Sequence, residues 1–320
     1  MLYRKLPSAE TMVSALCLGT MTFGGQTQER ESTRIVEYAL DHGVNFLDTA
    51  NIYNGGESER ILGKALRGKR HHVILASKTG GPVNGMGPSL EKERILSSVE
   101  DSLRRLQTDY LDILYLHFPD KKTPPEAYIE TCTELIASGR IRHYGLSNFS
   151  AWQCCEIYYK AREMGAAAPC VSENVYSLIN RGIEDELLPY LRSHNVGLTA
   201  FNPLAGGLLT GKHRRDQYTE GTRFALEQGY VRRYWNDLNF DAIDRLKQTA
   251  EEANLCLTEL ALRWLLHVEG LTSVICGASK LEQIQENIGY FREEALDSRC
   301  IDGCEAAWEL ISGHYFNYHR

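Results

Sequence analysis

The sequence has no excess of positive charge. Its 320 residues include 35 lysines and arginines against 42 aspartates and glutamates, which gives a formal net charge of −7 at pH 7. Nucleic-acid binding needs a basic face that neutralises phosphates, so we predict no nucleic-acid partner. A local basic cluster for a small phosphate-bearing ligand is still compatible with this balance.

Long hydrophobic runs are also missing. No stretch of about 18 consecutive apolar residues occurs, as a membrane-spanning helix would need. The amino-terminal segment MLYRKLPSAETMVSALCLG lacks the uninterrupted apolar core of a secretory signal peptide. We therefore expect no membrane association and a cytoplasmic location.

The cysteines lack the spacing of a metal site. Nine are present, with no CxxC pair and no regular Cys/His pattern, so no metal is predicted. Because an odd number cannot close completely into disulfides, we expect free thiols in a reducing compartment. Oxidation-sensitive or modified thiols are the alternative.

The sequence does contain a regular alternation of short β-rich runs and longer segments of helical period, which indicates repeated βα units. At 43% hydrophobic and 24% charged residues it also has the composition of a globular chain with a sizeable core. The predicted strands are 15–19, 46–48, 73–78, 111–117, 141–147, 170–173, 196–200 and 273–276. The predicted helices are 29–42, 56–66, 91–105, 124–138, 150–163, 182–193, 241–267 and 280–289.

Eight strands, each followed by a helix, favour a closed (β/α)8 TIM barrel, an α/β fold, over an open doubly wound sheet. No GxGxxG follows an early strand, so the fingerprint of the open dinucleotide-binding fold is absent. We predict one barrel domain over residues 1–320. Residues 204–240 form a long loop after the seventh strand, of the kind that acts as a lid or binding loop. The C-terminal tail is expected to lie over the barrel mouth.

Four polar residues lie at or just beyond the ends of three consecutive predicted strands: Asp48, Tyr53, Lys78 and His117. The carboxyl ends of parallel barrel strands surround one mouth, where catalytic residues of this architecture are found. Each residue singly has an ordinary alternative role, as a cap, a loop contact, a surface charge or a core histidine. Together they favour an active site.

The chemistry of these four residues suits protonation of a carbonyl oxygen. A phenol has a pKa near 10 and is a weak acid at neutral pH, so we expect Lys78 to lower the pKa of Tyr53. Asp48 would keep a buried Lys78 charged, and His117 would donate a hydrogen bond to the substrate oxygen. A barrel aldolase with Lys78 as a Schiff base is disfavoured, because such a lysine must be neutral.

Six motifs in order make the whole chain resemble the aldo-keto reductase superfamily, NADPH-dependent carbonyl reductases with a (β/α)8 barrel. They are LGTMTFGG at 18–25, FLDTANIYNGGESERILGKAL at 46–66, SLRRLQTDYLDILYLHFPD at 102–120, GLSNFS at 145–150, FNPLAGGLLTGK at 201–212 and GASKLEQIQEN at 277–287. The stretches FNPLAGGLLTGK and RRYW at 232–235 look most like the aflatoxin-aldehyde and succinic-semialdehyde reductase branch.

The resemblance implies residue roles. Tyr53 would be the general acid, Lys78 and Asp48 its tuning pair, and His117 the carbonyl-orienting donor. The expected cofactor is NADPH/NADP+, with Lys280 and a helix N-terminus favouring it over NADH. The implied cofactor-binding residues are Gly19, Thr20, Ser147, Asn148, Glu173, Phe201, Leu204, Gly207, Thr210, Lys212, Arg223, Gly277, Ser279, Lys280, Gln283, Glu286 and Asn287.

Three positions depart from the family pattern. Glu173 stands where glutamine is usual, and a carboxylate can accept a hydrogen bond from the cofactor carboxamide but cannot donate one to it. Asn54 follows the tyrosine where glycine is common, which affects the turn. Phe118 follows His117 and should narrow the substrate mouth.

The substrate is predicted to be a small carbonyl compound. Arg233 and Arg320 are hypothesised to hold an anionic or dicarbonyl substrate through guanidinium–carboxylate pairing; solvated surface arginines are the alternative. A second hypothesis for the whole chain is a cofactor-binding regulatory module like a potassium-channel β-subunit. Homo-oligomerisation is left open.

Overall fold

The computed structural model of the protein describes residues 1–9, 11–83, 85–217, 219–291 and 296–312. The strands are β1 (Tyr3–Leu6), β2 (Thr11–Ser14), β3 (Leu16–Gly19), β4 (Phe46–Asp48), β5 (Ile74–Thr79), β6 (Leu111–Leu116), β7 (Ile141–Ser147), β8 (Val171–Val175), β9 (Gly197–Phe201) and β10 (Leu271–Gly277). The last eight close into a barrel of parallel strands in the order β10-β3-β4-β5-β6-β7-β8-β9. The predicted (β/α)8 barrel is confirmed.

The helices are α1 (Glu29–Asp41), α2 (Glu57–Ala65), α3 (Lys92–Leu106), α4 (Pro125–Ala137), α5 (Ala151–Glu163), α6 (Leu187–Ser193), α7 (Arg223–Leu226), α8 (Gln228–Tyr234), α9 (Asp237–Glu252), α10 (Leu257–Leu266), α11 (Leu281–Tyr290) and α12 (Ser298–Ser312). In the described part of the chain, none of them is long and apolar enough to cross a membrane.

The chain divides into two compact units. The first comprises residues 1–174, 183–201 and 270–289 and contains the barrel with α1–α6 and α11. The second comprises residues 175–182, 202–269 and 290–320 and contains α7–α10 and α12. The prediction of a single domain stays a prediction.

An antiparallel hairpin of β1 and β2 covers the amino-terminal end of the barrel. Its Leu6 and Val13 are buried in one core cluster with Phe46 and Ile113 from the barrel strands. A Cβ on Gly197, the first residue of β9, would lie 2.7 Å from Leu6 Cδ1, so only glycine fits beneath the hairpin. Apolar side chains of the hairpin therefore fill this end of the barrel interior.

The predicted strands agree with the observed ones to within two residues at each end. Glycines stop several helices as expected: Gly43, Gly68 and Gly139 have φ values of 85°, 74° and 74°, a left-handed conformation that glycine adopts without steric cost. At the start of α5, the Ser150 backbone amide donates to Gln153 Oε1 at 3.0 Å, as in a capping box.

Five features differ from the sequence-based expectation. The β1–β2 hairpin and α12 were not predicted, and the predicted helix 182–193 is shortened to α6. The predicted helix 241–267 is two helices, α9 and α10, because Asn254 takes a left-handed φ of 56° between them. The 204–240 segment does follow the seventh barrel strand, but it contains α7 and α8. The C-terminal tail, residues 313–320, lies outside the described residues.

Within the second unit, α12 packs closely on α9. A Cβ on Gly303 of α12 would lie 2.4 Å from Thr249 Oγ1 of α9, so the absence of a side chain permits this approach. Arg181 pairs with Glu305 of α12 at 2.9 Å. Its guanidinium also lies 4.9 Å from the ring centre of Trp264, which ties α12 to α10.

Candidate active site

The four predicted catalytic residues lie together at the carboxyl ends of three adjacent barrel strands. Asp48 is the last residue of β4, Lys78 is the penultimate residue of β5, and His117 directly follows β6. Tyr53 begins a single 3-10 turn between β4 and α2. Strand register brings the first two side by side, because Asp48 pairs with Ala76, two residues before Lys78. Side chains two residues apart on a strand point the same way.

Lys78 is a fully buried ammonium enclosed by oxygen atoms. Its Nζ lies 2.5 Å from each carboxylate oxygen of Asp48 and 3.1 Å from the Thr49 carbonyl oxygen, to which it donates. A second carboxylate is also close, since Glu173 Oε2 of β8 lies 3.4 Å from the same Nζ. The Lys78, Asp48 and Glu173 side chains are at most 4% exposed. Glu173 as a second partner of Lys78 was not predicted.

These contacts set the charge of the lysine. Burial alone would lower the pKa of Lys78, but the charges of Asp48 and Glu173 outweigh burial and raise it above its ordinary value. Lys78 is therefore an ammonium at neutral pH. A nucleophilic lysine must be neutral, so the contacts disfavour a Schiff-base aldolase.

The expected lowering of the Tyr53 pKa is wrong in its net direction. The Lys78 ammonium, 5.4 Å from the centre of the Tyr53 ring, does act to lower it. Burial raises the pKa more strongly, and the negative charges of Asp48 and Glu173 add to this, so the net shift is upward. The prediction counted one positive neighbour, whereas the fold places two carboxylates beside it. Tyr53 consequently keeps its proton at neutral pH.

His117 is a neutral imidazole. It is 7% exposed, and burial together with the Lys78 charge lowers the pKa of His117 to about 3. Its ring meets the Tyr53 ring edge-on, with centroids 6.1 Å apart. The Asn148 side-chain amide donates to the His117 carbonyl oxygen at 3.0 Å and fixes the backbone there. A neutral imidazole in this place has one N–H to donate.

Asn54 gives the turn after Tyr53 its shape. It takes a left-handed φ of 49°, a conformation that asparagine tolerates better than most residues. Its side-chain amide donates to the carbonyl oxygens of Met21 and Phe23, both at 2.8 Å. Asparagine thus adopts here the left-handed conformation that glycine takes readily, and its side chain links the Tyr53 turn to the loop after β3.

The strand ends next to this cluster hold several of the implied cofactor residues. Ser147 ends β7 in register with Glu173, and Asn148 follows it with a left-handed φ of 65°. Gly19 pairs with both Asp48 and Gly277. The Thr20 hydroxyl donates to the Asp48 carbonyl oxygen at 3.0 Å and is completely buried. Phe201 ends β9 and is partly buried against the core.

The start of α11 carries the residues implied for the adenosine end. Ser279 donates from its backbone amide to Gln283 Oε1 at 2.8 Å, and Lys280 is exposed. Glu286 is exposed and Asn287 is buried. The sequence analysis missed Glu31 of α1, whose carboxylate accepts a hydrogen bond from the Leu281 amide at 2.8 Å. A negative charge of the protein itself thus lies at this helix N-terminus.

The other implied cofactor residues belong to the second unit. Leu204, Gly207 and Thr210 form a tight turn, in which the Gly207 amide donates to the Leu204 carbonyl oxygen at 2.8 Å and the Thr210 hydroxyl to the Gly207 carbonyl oxygen at 2.7 Å. Lys212 is exposed. Arg223 NH1 donates to the Tyr230 hydroxyl at 3.3 Å.

The three predicted substrate residues differ in their surroundings. Phe118 stacks on His117, with ring centroids 4.6 Å apart. Arg233 is exposed, and its guanidinium lies 5.7 Å from the ring centre of Tyr230 and 5.9 Å from that of Tyr234. Arg320 lies outside the described residues, so the hypothesis that it holds the substrate together with Arg233 stays a prediction.

Unsatisfied polar atoms make this end of the barrel fit a polar ligand. His117 Nδ1, Glu173 Oε2 and Thr79 Oγ1 are buried, and none has a hydrogen-bond partner within the described ranges. Buried polar groups are normally hydrogen-bonded, so partners are expected from a bound molecule, and a nicotinamide carboxamide offers both donors and an acceptor. No group of three metal-ligating side chains occurs in the part of the chain that the structure describes.

Comparison with known proteins gives the same assignment over nearly the whole chain. The profile of the Aldo/keto reductase family matches residues 15–309. The chain is 36% identical to aflatoxin B1 aldehyde reductase member 2 of Rattus norvegicus, covering 95% of this chain and 87% of that protein. The resemblance noted from the sequence motifs is confirmed, including the branch to which they point.

Two further relatives broaden the comparison. The chain is 35% identical to a probable voltage-gated potassium channel subunit beta of Arabidopsis thaliana, with 90% of each chain covered. Among solved structures, the aldo-keto reductase AKR11C1 of Bacillus halodurans in its holo form superposes with a TM-score of 0.79 at 29% identity, with 96% of each chain covered. Reductases and a probable channel subunit are therefore both found among the proteins similar to this chain.

Proposed function

Because the chain belongs to the aldo/keto reductase family, we propose that it reduces aldehydes and ketones to alcohols with NADPH as the cofactor and Tyr53 as the general acid. The family carries out carbonyl reduction with nicotinamide cofactors. The finer assignments, NADPH and the four catalytic residues, rest on the geometry of this chain.

The observation that carries the proposal is the environment of Lys78. A buried ammonium held by Asp48 at 2.5 Å, next to a protonated phenol and a neutral imidazole, supplies two hydrogen-bond donors and a fixed positive charge. These are what a carbonyl oxygen needs as negative charge develops on it. A purely structural ion pair would need neither the tyrosine nor the unsatisfied histidine.

A nicotinamide cofactor, when bound at this mouth, would supply the hydride. His117, neutral at working pH, donates its N–H to the carbonyl oxygen and orients it. As the oxygen becomes an alkoxide, a stronger base than phenolate, the Tyr53 hydroxyl transfers its proton to that oxygen. Lys78 then faces a phenolate and stabilises it by charge attraction, while Asp48 keeps Lys78 protonated throughout. The raised pKa of Tyr53 keeps the proton on the phenol until the substrate oxygen has become basic enough to accept it.

Cofactor choice is proposed from the start of α11. The exposed Lys280 places a positive charge at this helix N-terminus, which suits a phosphate group and supports NADPH. For the substrate we propose an aldehyde with a second polar or anionic group, in keeping with the aflatoxin aldehyde reductase relative, with Arg233 and Arg320 as its contacts and Phe118 as an apolar wall.

Substitution of Tyr53 by phenylalanine tests the mechanism. We expect NADPH binding, followed by protein fluorescence, to be unchanged, and kcat for aldehydes to fall at least about a hundredfold, the usual size of a general-acid contribution. A panel of aldehydes and quinones with NADPH absorbance as the readout identifies the substrate class. Reduction by Tyr53→Phe at the wild-type rate would remove Tyr53 from the mechanism.

The second candidate function is a regulatory module, which the Arabidopsis channel-subunit relative favours. NADPH binding without turnover of any carbonyl compound in the panel would support the module. Steady turnover supports the reductase. Trapping of a substrate on Lys78 by borohydride would instead support a Schiff-base mechanism, against the ammonium described above.

A further inference from the structure

Glu173 is a buried carboxylate with an unmet hydrogen-bonding capacity. It lies in β8, is 3% exposed, and its Oε2 atom has no hydrogen-bond partner among the residues that the structure describes. Its nearest cation is Lys78, at 3.4 Å, and the same cation is already bound more closely by Asp48 at 2.5 Å. Two carboxylates thus share one ammonium.

Because the two carboxylates share one ammonium, Glu173 is the group whose protonation state can change. With both carboxylates ionised the cluster has a net charge of −1, and with Glu173 protonated it is neutral. Burial raises the pKa of Glu173 to about 8, the charge of Asp48 adds to the increase, and Lys78 opposes it.

The other titratable groups facing Glu173 keep one state at neutral pH. Cys17 of β3 and Tyr115 of β6 are fully buried, and burial raises the pKa of both well above ordinary values. The pKa of Tyr53 is raised and that of His117 is lowered to about 3. The adjoining Ser147 of β7 and Thr199 of β9 do not titrate. Burial also raises the pKa of Asp48, although Lys78 opposes this. Asp48 lies 2.5 Å from the Lys78 ammonium and Glu173 lies 3.4 Å from it. Because Glu173 is the less closely paired of the two carboxylates, it is the one that takes up the proton between mild acid and mild base.

We propose that Glu173 selects the oxidation state of the bound nicotinamide: as a neutral acid it accommodates the uncharged reduced ring, and as a carboxylate it favours the positively charged oxidised ring. The inference rests on the proposed function, since it concerns the same cofactor. A protonated carboxyl group can donate one hydrogen bond and accept another, as a glutamine side chain does. Because Asp48 and Glu173 share a side-chain hydrogen bond, the Glu173 Oε2 atom is the one left for the carboxamide.

The direction of the effect follows from linkage. A cation bound beside Glu173 stabilises its ionised form, so binding of the oxidised cofactor lowers the pKa of Glu173 and releases a proton. Affinity for the oxidised form must then increase with pH, by up to about tenfold per pH unit between the two pKa values. Affinity for the reduced form, which is uncharged at the ring and suits the neutral acid, should not increase with pH.

The experiment measures Kd for NADP+ and for NADPH across about pH 6.5 to 9 in wild type and Glu173→Gln. We expect the ratio Kd(NADPH)/Kd(NADP+) to increase at least about tenfold over this range in wild type and to stay flat in Glu173→Gln. Asp112→Asn is the matched control, because Asp112 is an equally buried carboxylate near the start of β6 with its own arginine partners. It should retain the wild-type pH dependence.

Calorimetry on the wild type alone gives a second readout that needs no variant. Titrations in buffers of different ionisation enthalpy count released protons, and NADP+ should release more than NADPH near pH 7.5. Protons from the 2′-phosphate are common to both cofactors and cancel in the difference.

Three results would overturn the inference: a ratio Kd(NADPH)/Kd(NADP+) that does not change with pH, equal proton release on binding of the two cofactors, or a wild-type pH dependence in Glu173→Gln. Each leaves the proposed function intact, provided that both cofactors bind. If neither cofactor binds, the proposed function fails and the inference fails with it.

Discussion

Lys78 is held by two carboxylates, and this predicts that the effects of removing them are strongly non-additive. In Asp48→Asn, Glu173 at 3.4 Å is the remaining partner and can ionise to pair with Lys78. In Glu173→Gln, Asp48 remains at 2.5 Å. Only the double variant leaves a buried ammonium without a countercharge. We therefore expect the double variant to lose far more stability than the two single variants combined.

The distances between Lys78 and the two carboxylates determine the size of the expected loss in stability. At an effective dielectric of 20, a pair at 2.5 Å attracts with about 7 kcal/mol and a pair at 3.4 Å with about 5 kcal/mol, so the second carboxylate can replace most of the first. Desolvation opposes both terms. We expect Asp48→Asn to cost about 1 to 3 kcal/mol and Glu173→Gln less than about 1 kcal/mol. The coupling term should be about 2 kcal/mol, within the range for contacting groups.

Reversible urea denaturation at pH 7 of wild type, both single variants and the double variant measures the four free energies of unfolding. The control cycle pairs Glu173→Gln with Asp112→Asn. Asp112 binds Arg70 at 2.8 Å and Arg142 at 3.0 Å and shares none of these partners with Glu173, so this cycle should be additive. Additivity in the Asp48/Glu173 cycle would refute the shared-ammonium description.

Three further predictions concern pH and specificity. Because the pKa of His117 is lowered to about 3, the pH profile of kcat/KM for the wild type should have no limb from its protonation between about pH 5 and 8; a limb lost in His117→Gln would contradict this. Lys280→Ala should weaken NADPH binding at least about tenfold more than NADH binding. Glu31→Gln removes the carboxylate bonded to the Leu281 amide and should therefore strengthen NADPH binding more than NADH binding. Fluorescence titrations with both cofactors measure each effect, and equal changes for both cofactors would exclude a phosphate contact. Arg233→Ala should lower kcat/KM for succinic semialdehyde at least about tenfold more than for an uncharged aldehyde, and an equal loss on both substrates refutes the carboxylate contact.

Particular elements show how far the sequence could predict the fold. The barrel strands are buried runs bounded by glycine and polar residues, and periodicity located all eight of them. Helix α12 contains few strong local signals, and its position depends on contacts such as Gly303 against Thr249. The division of the predicted helix 241–267 depends on the backbone conformation of one residue, Asn254. Such features depend on packing more than on local pattern.

The sequence by itself determined which residues meet at the barrel mouth. A parallel barrel brings its strand ends together whatever the loops do, so the placement of Asp48, Lys78 and His117 followed from their positions along the chain. What only the tertiary structure decided is the balance of charge among them. Glu173 comes from a strand almost a hundred residues beyond Lys78 and lies 3.4 Å from the ammonium. Burial of the phenol, together with the negative charges of Asp48 and Glu173, changes the sign of the expected Tyr53 pKa shift. Electrostatic energies depend on the distances between charges and on their burial, and the order of residues in the sequence determines neither directly.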